Sequence, residues 1–96
     1  MRRVLAEGRT THAERVVVFV APGTGSVAFV AGRRVGGAVD RNRARRILRA
    51  AWRELAPSID GWDVVVVARA AIRGAGTDEL VAEVDQVLSR AEIISR

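Results

Sequence analysis

Hydrophobic and polar positions along this chain fall into blocks of different period, and the blocks predict the elements. RVVVFVA, residues 15–21, is a run rich in β-branched side chains, stopped by the turn cluster Pro22-Gly23-Thr24-Gly25, and reads as a strand. SVAFVAGRR follows at once, which predicts a second strand and an antiparallel hairpin between the two. From Ala38 to Leu55 the period becomes helical: Ala44, Ile47, Leu48, Ala51 and Leu55 fall within about a third of the helix circumference, and Pro57 stops the helix. WDVVVVARA, between Asp60-Gly61 and Gly74, is a continuous apolar run of the kind found in a central strand buried on both faces. Leu80, Val81, Val84, Val87, Leu88 and Ala91 restore the helical period from Thr77 to about Ile94, with Thr77 as a candidate cap.

At the other end, Arg2 to Glu7 suit one or two helical turns ending at Gly8. His12 falls in a loop on this reading. The order of elements predicts an α+β fold, a two-layer sandwich with helices packed on a mostly antiparallel sheet of about four strands. A chain of 96 residues has one core to build, so residues 1–96 are expected to form a single domain. No repeat, linker or low-complexity tract interrupts it.

Composition narrows the function classes. With 49% hydrophobic and 28% charged residues the chain is that of an ordinary folded protein, and its formal net charge of +5 points to a polyanionic partner. All sixteen basic residues are arginine, whose planar donor fork suits phosphate, although a biased genome would leave the same mark. Cysteine is absent, which excludes disulfides, thiolate metal sites and a Cys nucleophile, and is compatible with a reducing compartment. VVVFVAP is far short of the roughly 20 residues of a spanning helix, and Glu7 interrupts any signal-like segment, so a cytoplasmic protein without a membrane association is expected. His12 is the sole histidine and the acids are scattered, so neither a catalytic constellation nor a metal site is expected.

The charge is concentrated in DRNRARRILRAAWREL. Arg43, Arg45, Arg46, Arg49 and Arg53 lie with Asn42 on the side of the helix away from its apolar stripe, Arg41 and Trp52 stand at one border, and no acid falls between Arg41 and Arg53. Charge runs on helices are usually solvated faces, yet like charges at i,i+4 along 41, 45, 49 and 53 repel by a few tenths of a kcal/mol each. Arginines near the helix start also oppose its dipole, which Asp40 offsets in part. An absent anion, a phosphate-bearing ligand, accounts for both features. Asn42 suits a sugar hydroxyl or base edge, and equally suits a helix cap.

These residues resemble a known family, the protein component of bacterial ribonuclease P. The resemblance rests on FVAGRRVGGAVDRNRARRILRAAWREL, in which a strand ends in a basic pair and is followed by V-G-x-A-V, R-N-R and a basic helix with an aromatic, and it extends to GWDVVVVAR and the last helix. It implies a sheet with a left-handed βαβ crossover and a protein, one per RNA, that carries out no chemistry itself. The catalytic RNA, which requires Mg2+, removes the 5′ leader of precursor tRNA; the protein binds no cofactor. Carried over, Arg33, Arg34, Arg41, Asn42, Arg43, Arg45, Arg46, Arg49 and Arg53 bind RNA, while Leu5, Phe19 and Arg69 line the leader cleft. Phe19 has Val on both sides, so its alternation also fits a core position. The family's first helix presents two Phe to the leader; Leu5 stands at one of those positions and the chain begins near the other. A ribosomal-type structural RNA binder and a DNA-binding module remain open on the residues alone.

Overall fold

A computed structural model describes residues 8–93, and the helix expected over Arg2–Glu7 lies outside that range. Strands β1 (Arg9–His12), β2 (Val16–Pro22) and β3 (Val27–Ala31) precede helix α1 (Ala38–Leu55), strand β4 (Trp62–Ala68) and helix α2 (Thr77–Arg90). Short 3-10 turns, Arg33–Val35 and Ala70–Ile72, link β3 to α1 and β4 to α2. The result is the expected α+β sandwich, with a four-stranded sheet in the order β1-β2-β4-β3. β1 and β4 run antiparallel to β2, whereas β3 runs parallel to β4, so β3, α1 and β4 form a βαβ unit.

The predicted hairpin of β2 and β3 does not form; β4 lies between them. Its residues Val64, Val65 and Val66 are all buried, and a strand apolar on both faces is best covered with a neighbour on each edge. The 22–26 turn is real, but it is tied to β4. Asp63 Oδ1 accepts from Thr24 N–H at 2.9 Å, Ser26 N–H at 3.2 Å and the Ser26 hydroxyl at 2.8 Å. Gly23 is required there, because a Cβ on it would stand 2.1 Å from Asp63 Cγ.

β1 is the strand that the pattern does not predict. RTTH is polar throughout and lies at a sheet edge, so nothing in its hydrophobicity marks it. His12, expected in a loop, is instead the last residue of β1, paired with Val17.

Helix α1 has the predicted bounds. It stops because Ala56 takes a left-handed conformation (φ 45°), with its N–H on Trp52 O, and Pro57 follows. Helix α2 is capped by Gly76, whose N–H donates to Glu79 Oε1 at 3.2 Å, and Thr77 is its first helical residue rather than its cap. It ends at Arg90, short of Ile94. Glu92, at φ 62°, turns the chain so that its N–H meets Ser89 O and the Ile93 N–H meets Leu88 O, a Schellman closure that buries Ile93.

Both helices cover the same sheet face. Val16, Val18 and Val20 of β2 and Val64, Val66 and Ala68 of β4 pack with Ala44, Leu48 and Ala51 of α1 and Leu80, Val84, Val87 and Leu88 of α2. The opposite face carries a smaller apolar cluster: Ala21 and Val65 are buried, and Phe19, Ala28, Val30 and Val67 are half-buried around them.

Candidate nucleic-acid interface

The helical period turns the arginine run of α1 into a stripe. Asn42, Arg46, Arg49 and Arg53 point outward at alternating spacings of three and four, while Arg41, Arg43 and Arg45 flank them and are partly covered. Val39, 82% exposed, stands at the amino end of the stripe. No side chain caps the start of this helix, whose N-cap is Gly37.

Among the described residues no arginine of α1 forms an ion pair. Three have other contacts. Arg43 Nη2 donates to Ala75 O at 2.9 Å, Arg45 Nη2 donates to Asn42 Oδ1, and the Arg49 guanidinium lies 5.9 Å from the Phe29 ring centroid. Phe29 in turn meets Trp52 edge to face, with centroids 5.9 Å apart. Asn42 sits beyond the first turn and is not a cap; the Arg45 bond fixes its amide on the outer surface. The stripe thus keeps most of its donors directed at solvent, in a geometry able to follow a phosphate backbone.

Arg15 shows what an internally neutralised arginine looks like in the same molecule. Its guanidinium is 2.9 Å from Glu83, 3.0 Å from Glu79 and 3.9 Å from Glu14, and Glu83 also accepts the Arg15 backbone N–H at 2.8 Å. The Glu83 hydrogen bond is the largest cause that pushes the Arg15 guanidinium above its usual value, opposed by desolvation.

Arg33 and Arg34 are exposed in the turn between β3 and α1, where buried Val35 anchors the backbone. Arg34 does not join the α1 stripe. It shares a pocket of about 450 Å3 with Arg69, His12 and Glu14, walled by Val17, Val67, Ala68, Ala70 and Ala71. Arg69 follows β4 directly, and its Nη1 donates to Ala13 O at 2.7 Å, which holds the side chain across the β1–β2 connection.

Phe19 belongs to the sheet face that neither helix covers. In register, Thr10 lies opposite Phe19, His12 opposite Val17 and Val65 opposite Phe19 on its other side. Cross-strand partners share a face, so this surface runs from Phe19 toward the Arg34 and Arg69 pocket at the end of the sheet. Leu5 lies outside the described residues. His12 comes to that end of the face through the pairing of β1 with β2 and Arg34 through the 3-10 turn after β3, neither of which local sequence discloses; the polar β1 carries no signal that would place His12 there.

Among the described residues no group of three or more His, Cys, Asp and Glu side chains is arranged to hold a metal ion. Nor, among them, is any helix long and apolar enough to cross a membrane.

Comparison with known proteins gives one answer. A family model described as Ribonuclease P matches residues 1–92. The ribonuclease P protein component of Dehalococcoides mccartyi is 38% identical over 97 residues, covering 98% of this chain and 80% of that protein. The corresponding proteins of a Roseiflexus species and of Symbiobacterium thermophilum are each 41% identical over 98 residues, covering 97% of this chain and 80% and 85% of theirs. Among solved structures, a mutant of the Staphylococcus aureus RNase P protein superposes with a TM-score of 0.84 at 22% identity, covering 97% of this chain and 82% of that one. The Thermotoga maritima RNase P protein does so at 0.76 and 23%, covering 91% and 86%, and both likenesses speak to the fold alone. The family model over residues 1–92 and these relatives of 38% to 41% identity along nearly the whole chain place it in the ribonuclease P protein family.

Proposed function

We propose that this chain, as the protein subunit of ribonuclease P, lays α1 on the catalytic RNA and holds the 5′ leader of precursor tRNA on the sheet face that α1 and α2 leave uncovered. The observation that carries the reading is the set of six arginines that α1 carries in its outer stripe and along its flanks, with no ion pair among the described residues.

Each guanidinium that meets a phosphate releases condensed counterions, which gives affinity without sequence preference. Asn42, held by Arg45, adds a donor for a ribose hydroxyl or base edge. On the sheet, Phe19 offers a ring for a leader base, worth about 1 to 3 kcal/mol per stacked base. Arg69 and Arg34 at the end of that face take leader phosphates, and Arg33 beside them takes phosphate of either strand.

The RNA, with Mg2+, hydrolyses the phosphodiester between leader and tRNA and leaves a 5′ phosphate on the mature tRNA. The protein gives no group to that step. Its contribution is differential binding: leader contacts exist with the precursor and vanish in the product, so they favour substrate over mature tRNA. One monomer per RNA suffices for these contacts, and the work is cytoplasmic.

Adding the purified protein to a bacterial ribonuclease P RNA at low magnesium should raise the rate of precursor cleavage. A rate that stays flat across protein concentrations that saturate RNA binding removes the reading.

A further inference from the structure

A second pocket, of about 380 Å3, lies between the start of α1 and the turn before α2, lined by Asp40, Arg43, Ala44, Ile72, Arg73 and Gly74. Ala44 and Ile72 are each 1% exposed and form an apolar back wall. Gly74, at φ 82°, bends the chain around the mouth. Arg43 is pinned there through Ala75 O, which leaves its other guanidinium donors for a ligand. Arg73 is exposed, and neither its side chain nor that of Asp40 has a hydrogen bond or ion pair among the described residues.

A bare phosphate gains nothing from Asp40, which repels it. The combination of one carboxylate, two guanidiniums and an apolar wall instead matches guanine. That base presents paired N1–H and N2–H2 donors for a carboxylate, and O6 and N7 acceptors for a guanidinium. Adenine lacks the paired donors on that edge. The volume also lies within the range of pockets that take ligands of nucleotide size.

We propose that this pocket receives an unstacked guanosine nucleotide of a bound RNA, with the Watson–Crick edge on Asp40 and O6 and the 5′ phosphate on Arg43 and Arg73. The inference rests on the reading that RNA lies against α1. The guanosine has two possible sources, the catalytic RNA and the precursor, with the same chemistry.

The isotope-labelled full chain, titrated with each ribonucleoside 5′-monophosphate and with inorganic phosphate, tests the proposal through the backbone amides of Gly74 and Ala75. Guanosine monophosphate should act at about tenfold lower concentration than the other three, the discrimination that one good bidentate pairing supplies. Asp40→Ala should abolish that preference, with Asp40→Asn keeping part of it, while Arg73→Ala weakens all four nucleotides alike. Equal responses to the four, a phosphate response as strong as that to guanosine monophosphate, or a preference untouched in both Asp40 variants overturns the proposal. In the assembled complex, 6-thioguanosine placed in one RNA or the other identifies the source by its cross-link to residues 70–76, and a cross-link from neither strand of a fully bound complex also overturns it. Because the titration uses the protein alone, its failure leaves ribozyme assistance standing, and a flat cleavage rate leaves the guanine preference standing.

Discussion

Helices α1 and α2 pack side by side on one sheet face and differ in how their charges are matched. α2 follows the rules of self-stabilisation: Asp78 and Glu79 sit at its positive end and Arg90 at its negative end, and Glu79 and Glu83 neutralise Arg15. α1 also has an acid in its first turn, Asp40, and a base in its last, Arg53, but it adds Arg41 and Arg43 near its start and stacks like charges at i,i+4 along 41, 45, 49 and 53. Both bury equivalent apolar stripes, so packing carries the fold in each case. The difference is in what remains over: Glu79 and Glu83 of α2 meet a cation of the same chain, whereas among the described residues the arginines of α1 meet no carboxylate.

The most severe way to break this comparison is to change Arg41, Arg43, Arg45, Arg46 and Arg49 together to Ala. Binding to the catalytic RNA should then lose about 3.5 to 4.5 from the magnitude of its salt slope, at about 0.7 to 0.9 per phosphate contact. The melting temperature should change little, because relieved repulsion and the better helix propensity of Ala offset the loss of the Arg43 bond to Ala75 O and of the Arg49 contact with Phe29. An unchanged salt slope would take α1 out of the interface.

Phe19→Ala comes next. It should weaken precursor tRNA binding to the assembled complex by about 1 to 3 kcal/mol and leave mature tRNA unaffected, since the leader is absent from the latter. Phe19 is half-buried outside the helix-facing core, so the fold tolerates the change. Equal losses for both tRNAs would return Phe19 to a packing role and favour a structural RNA binder without a leader site.

Arg34→Ala and Arg69→Ala should each take about 0.7 from the salt slope of leader-dependent binding, the single-strand value, and nothing from binding to the catalytic RNA. The reverse result would join Arg34 to the α1 surface instead.

What was legible in the sequence follows the same division between local and non-local causes. The bounds of α1, its apolar stripe and its arginine face are written in a 3.6-residue period within one segment, and β4 is marked by its unbroken valines. The hairpin that the 22–26 turn suggests does not form, because that turn is held by Asp63, nearly forty residues away in the chain, and β4 takes the place between β2 and β3. β1 has no apolar alternation to display, and α2 stops at a left-handed Glu92 where the usual signal is glycine. The candidate site divides likewise. Arginines on one helix can be counted onto one face, whereas His12 at the end of β1, Arg69 just after β4 and Arg34 in the turn after β3 meet only in the fold.

The smallest expected effect is the most direct test of the contrast, because it gives α1 the plan of α2 at a single position. Arg45→Glu places an acid four residues after Arg41 and four before Arg49, creating two i,i+4 pairs where two repulsions stood. Each such pair is worth about 0.2 to 0.5 kcal/mol, more for Glu ahead of Arg, and removal of the repulsions adds a similar amount. The Arg45 bond to Asn42 is lost, but it is exposed and offsets little of this gain. The variant should therefore melt a few degrees higher than the parent and bind the catalytic RNA more weakly at low salt, with the two curves converging as salt rises. Opposite movement of stability and binding at one residue is what an arginine kept for an external anion predicts. A lower melting temperature would mean that Arg45 supports the fold, and the electrostatic distinction between the two helices would then no longer imply a ligand.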